Sequence, residues 1–112
     1  MSMDLAVWAS QPFELPRQLP QPDEWEQSGP EWSIEGDGWQ VLVMTAEDDV
    51  PGEVQTRLPQ AKHVAYVTLE PIGADQAGYS LLEQTVRSLA RNAGGVWVDP
   101  DGQPFGPDEG AF

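Results

Sequence analysis

Carboxylates and indoles are the side chains with which this chain could do chemistry. Nineteen Asp and Glu stand against five Lys and Arg, with one His, five Trp and no Cys, for a net charge of −14 over 112 residues. Without cysteine there is no disulfide and no thiolate metal site. His63 heads an apolar run beside Lys62. A basic histidine needs an orienting partner and a proton to take, and no Gly-x-Ser-x-Gly turn accompanies it. A carboxylate pair could hydrolyse a glycoside if held about 5–10 Å apart across a cleft, but one helix on one small sheet offers little wall for a cleft. Asp99-Pro100-Asp101-Gly102 opens like a calcium loop. That loop needs further ligands at alternate positions and a glycine at the sixth, where Gln103 and Pro104 follow instead. Glu47, Asp48 and Asp49 are consecutive, so their side chains diverge and form no cage. There is no Gly-x-Gly-x-x-Gly and no Walker loop. These residues predict no catalytic site, no metal and no cofactor.

What remains is acid mixed with tryptophan. Trp25 lies among Asp23, Glu24 and Glu26, and Trp32 follows Glu31. Tryptophan is a preferred interface anchor, and a surround of charge steers a partner of opposite sign. The predicted partner-binding set is Asp23, Glu24, Trp25, Glu26, Trp32, Glu47, Asp48 and Asp49. The alternative is that both indoles tie a loop onto the body. So acidic a chain is repelled by DNA, RNA and anionic lipid. Arg17, Arg57, Lys62, Arg87 and Arg91 are too scattered for a nucleic-acid surface. The expected partner is a basic protein. The competing explanation of the charge is solubility.

Those residues need a scaffold, and the length predicts a single domain, 1–112. Tyr79, Leu82, Val86, Leu89 and Ala93 form one stripe of a long helix over 75–93. Asp75 caps its start and Gly94-Gly95 ends it. Val96–Val98 then form a short strand. Asp4–Ser10 is a strand apolar on both sides, hence interior. Residues 11–30 hold five prolines and predict a surface loop, with a helical turn near Pro22–Gln27. Glu31–Ala46 is a hairpin about Gly36-Asp37-Gly38. Residues 51–58 form a short helix. Lys62–Ile72 is a strand rich in β-branched and aromatic residues. Residues 103–112 predict a mobile tail, after a brief pairing at Gln103–Phe105. The expected fold is α+β: a four- or five-stranded, mostly antiparallel sheet with the long helix on one face, a ferredoxin-like variant. MSMDLAVWAS lacks a basic start, so no secretory leader is expected and the expected location is cytoplasmic.

An early DLAVW, an LP-rich loop, WQVLV, YVTLEPIG and a closing ARNAGGVWVDPDG span Asp4 to Gly102. In these pieces the chain resembles the small acidic immunity proteins of polymorphic or secreted interbacterial toxins. The resemblance implies a non-enzymatic cytoplasmic inhibitor that binds one cognate toxin and occludes its active site or substrate cleft. It transfers no functional residue. Two other classes stay open. One is a phage or mobile-element nucleic-acid mimic, which needs acids in rows at phosphate-like spacing. The other is a small ligand-binding domain with a closed pocket around His63 or Tyr66.

Overall fold

The computed structural model describes residues 2–71 and 73–112. Its strands are β1 (Met3–Ala9), β2 (Glu26–Ser28), β3 (Glu31–Glu35), β4 (Gln40–Ala46), β5 (His63–Glu70), β6 (Gly95–Val98) and β7 (Pro104–Phe105). They form one antiparallel sheet in the order β2-β3-β4-β5-β1-β6-β7. Two helices join it, α1 (Gly52–Arg57) and α2 (Gln76–Ala93). The fold is α+β, with seven strands among the described residues where four or five were expected. Its element order is also not the alternating β-α-β-β-α-β of a ferredoxin-like domain.

The extra strands have physical causes. β2 is the exposed tripeptide EQS, which carries no strand signal of its own. It pairs because Gly29, at φ 60°, turns the chain back onto β3. Part of the proline-rich stretch 11–30, expected as a surface loop, is therefore sheet edge. Its middle is anchored too: Gln18 and Leu19 are buried, and Ser88 donates a 2.7 Å hydrogen bond to the Gln18 carbonyl. The strand expected over Lys62–Ile72 is β5, and Ile72 lies outside the described residues.

Helix α2 follows its local signals. Asp75 accepts the Gly78 amide at 3.2 Å, and Gly94 takes the left-handed conformation at φ 66°. Leu82, Val86, Leu89 and Ala93 are fully buried, while Tyr79 is only partly so. The buried stripe is wider than predicted, because Leu81, Thr85 and Ala90 also face the sheet. The sheet meets the helix with Leu5 and Val7, Val41 and Val43, Ala65, Val67 and Leu69, Ile34 and Trp97.

The other sheet face is only half covered. Residues 47–62 leave β4, cross beneath the sheet as α1, and return to β5. Val54 of α1 packs with Trp8, Val64, Val96 and Val98.

The carboxyl segment 103–112 is docked, not loose. Arg87 donates to the carbonyls of Pro107, Glu109 and Gly110 at 2.7–3.0 Å. The Trp97 indole donates to the Glu109 carbonyl at 3.1 Å, and its ring meets Phe105 and Phe112. Glu109 accepts the Gly106 amide and pairs with Arg57 of α1. The amide first, and the guanidinium second, hold its carboxyl below the ordinary range.

Candidate functional site

Successive strand residues point to opposite faces, so the register assigns every side chain. Trp32 lies opposite Val43, and Val43 opposite Val67, all beneath α2. Gln27 lies opposite Trp32, and Trp25 has the same parity. Trp25 is 5 % exposed, and its indole donates a 2.7 Å hydrogen bond to the Pro20 carbonyl. Trp32 is half-buried against the same core. Trp25 is thus withdrawn from the surface its acidic neighbours suggested, while Trp32 stays partly exposed. Both tie the proline-rich segment and the sheet edge to the body.

The predicted acids also part company. Glu24 and Glu26 line a shallow depression with Ser33, Ile34 and Glu35, and Asp23 stands in the 3-10 turn Pro22–Glu24. Glu47, Asp48 and Asp49 leave the far end of β4. Glu26 is in line with Leu42 through Ser33, so Glu47 lies about 16 Å further along the strand direction. The turn 36–39 is at the other end of β4 and shares no corner with the 47–49 run.

The register assembles a different surface on the uncovered half of the sheet. One row reads Ser28, Glu31, Met44, Tyr66, Ala6; the next reads Glu26, Ser33, Leu42, Thr68, Asp4; a third reads Glu35, Gln40, Glu70. Leu42, Met44, Thr68 and Tyr66 form a middle stripe along β4 and β5. Met44 is 40 % exposed, a large apolar side chain left in water. Carboxylates border the stripe: Glu26, Glu31 and Glu35 from β2 and β3 on one side, Asp4 from β1 on the other, and Glu70 at the end of β5.

Neutral donors fix several of these acids. Thr68 donates to Asp4 at 2.7 Å, and Gln40 donates to Glu70 at 3.1 Å. The Tyr66 hydroxyl donates to Asp48, bringing that one member of the 47–49 run to the margin of the face. This bond, with partial burial and the carboxylate charge, pushes the phenol up to about 12. Arg17, Arg57, Arg87 and Arg91 pair with Glu14, Glu109, Glu83 and Asp108, all away from the face. Lys62 ends the crossover just before β5, two residues from Val64 of the half that α1 covers and four from Tyr66. Among the described residues, then, no cation stands on the open half. The strand period could have revealed this face: Glu31-x-Ser33-x-Glu35 and Tyr66-x-Thr68-x-Glu70 each put an acid and polar groups on one side.

His63 lines a shallow depression with Pro12, Phe13, Thr45 and Glu47, and Tyr66 lies on the open sheet, not in a closed pocket. No group of three or more metal-ligating side chains occurs among the described residues. A depression of about 690 Å³ at the end of the open face, between Glu35, Trp39, Gln40 and Glu70, is wide open to solvent. Along β3 the acids Glu31 and Glu35 are about 13 Å apart with uncharged Ser33 between them, and Glu26 stands opposite Ser33 on β2. None of the described helices is long and apolar enough to cross a membrane. Compared with known protein families, curated proteins and solved structures, the chain shows no significant match.

Proposed function

We propose that this chain is a non-enzymatic inhibitory binding protein that receives a basic protein surface on the open half of its sheet. In the form the sequence resemblance favours, it is a cytoplasmic immunity protein that occludes the active site or substrate cleft of a cognate bacterial toxin. One observation carries the proposal: Asp4, Glu26, Glu31, Glu35 and Glu70 surround exposed Met44 and partly exposed Leu42, Tyr66 and Thr68, with no cation of the described residues among them. Unopposed carboxylates around an apolar centre attract a positive surface from a distance and give it area to bury on arrival. Toxin clefts that hold nucleic acid or nucleotides carry that sign.

The test uses the chain as bait in its source lysate, beside a Glu31→Lys/Glu35→Lys variant. The expected result is a basic protein held by the first and lost by the second. Its toxicity or enzymatic activity then falls to zero at one equivalent of the chain. A partner that both baits hold equally, or turnover of a substrate by the chain itself, overturns the proposal.

A further inference from the structure

The open face has a shape as well as a charge. Its apolar middle is a stripe running along β4 and β5, not a round patch. Leu42 and Met44 lie two residues apart on β4, with Thr68 and Tyr66 opposite them on β5. Acids stand on both long sides. Glu31 and Glu35 on β3 and Asp4 on β1 are separated by three strand intervals, about 14 Å. One end is closed by the 47–62 crossover and α1. The other end opens past Gln40 and Glu70 into the depression beside Trp39. An α-helix with its side chains is about 10–12 Å across, so one helix fits between the two acidic sides.

We infer that the occupant of this face is a single amphipathic, basic α-helix of the partner, laid along β4 and β5. The inference rests on the proposed function and specifies which element of the partner it requires. The helix turns an apolar stripe of residues spaced three and four apart onto Leu42, Met44 and Tyr66. Lys or Arg on both flanks of that stripe reach Glu31 and Glu35 on one side and Asp4 on the other, with Glu70 at the open end. About nine to twelve residues span the open length of the stripe, at 1.5 Å per residue. The sheet then lies between two helices, α2 and the partner's, which covers its second face as layered α+β architecture favours. A second copy of this chain does not fit: its own face has the same sign. An added strand at the free β2 edge would leave the apolar stripe in water.

The probe is a synthetic 14-residue helical peptide with a leucine stripe flanked by lysines. Controls are the same peptide with a central proline and a lysine-only peptide of equal charge. The full chain, isotope-labelled, is titrated with each and followed by amide NMR and by circular dichroism. The expected result is tightest binding of the helical peptide, a gain of helix on binding, and shifts confined to β3, β4, β5 and the Asp4 end of β1, around Leu42, Met44 and Thr68. Met44→Lys, at an exposed position, weakens it at least tenfold with the amide spectrum otherwise unchanged. If the proline or lysine-only peptide binds this face as tightly, the helical occupant is wrong while the acidic face remains the docking site. If the helical peptide does not bind, or its shifts map to α2 or the docked carboxyl segment, both the helix and the face are wrong.

Discussion

The two faces of the sheet are made by the same strands, residue by alternate residue, and they differ in almost every chemical respect. Beneath α2 the strands present Val41, Val43, Val67 and Leu69, fully buried. On the reverse they present Gln40, Leu42, Tyr66, Thr68 and Glu70, half-buried, and Met44, exposed, with Tyr66 packed against the cluster that α1 covers. One face closes a core and the other stays open, and the boundary is the reach of a six-residue helix, α1. Stability should therefore reside on one side of the strands and recognition on the other.

The largest effect expected from testing that division is on the covered side. Leu82→Ala empties a fully buried site between helix and sheet and should cost about 2–5 kcal/mol in urea unfolding. Partner binding should be unchanged wherever the variant remains folded.

Arg87→Ala comes next. Its guanidinium pairs with Glu83, holds three carbonyls of the docked carboxyl segment and lies 5.3 Å from the Trp97 ring centre. The expected loss is about 1–3 kcal/mol. A red shift of Trp97 emission and faster proteolysis beyond Phe105 should accompany it. A variant with the segment still protected would show that the segment is held by its aromatic contacts alone.

Trp25→Phe sharpens the contrast further. It removes the bond to the Pro20 carbonyl and should cost about 1 kcal/mol, with no loss of partner affinity. An affinity loss without destabilisation would return Trp25 to the interface.

On the open side, Glu31→Lys/Glu35→Lys should change unfolding free energy by no more than about 0.5 kcal/mol. The same variant should slow association with a basic partner and flatten its salt dependence. Large destabilisation would mean that these acids serve the fold.

The smallest effect is a titration. The Tyr66 phenol, ordinarily near 10, is pushed up to about 12 by its bond to Asp48, by burial and by the neighbouring charge. A raised folded-state value means that the native protein holds this proton more tightly than the unfolded chain. The resulting stability is complete below pH 10 and is lost as pH rises from there through about 12. Asp48→Asn should bring the phenolate absorbance transition back toward 10 and shrink that loss.

Much of the scaffold was legible in the residues themselves. Leu82, Val86, Leu89 and Ala93 repeat at helical spacing, Asp75 and Gly94 mark the ends, and Val64–Leu69 is strand-like throughout. β2 was not legible, because Glu26-Gln27-Ser28 has no local preference for a strand and acquires one only by pairing with β3. Docking of residues 103–112 was equally hidden. Its glycines and prolines indicate looseness, while its holding groups come from Arg87 and Trp97, whose hydrogen bonds to it span 12 to 23 positions. The acids of the candidate face are single residues on separate strands, whereas the sequence draws the eye to runs such as Glu47–Asp49. Charge at consecutive positions diverges; charge at alternate positions on paired strands converges.

By itself the sequence determined an acidic α+β chain, its helix limits and the apolar alternation of its main strands, since these depend on neighbours within a few residues. Tertiary structure alone decided which acids meet, which tryptophans are withdrawn from solvent and which half of the sheet stays bare. Those outcomes depend on strand order and on the path of residues 47–62 beneath the sheet. Both are set by packing between segments far apart in the chain.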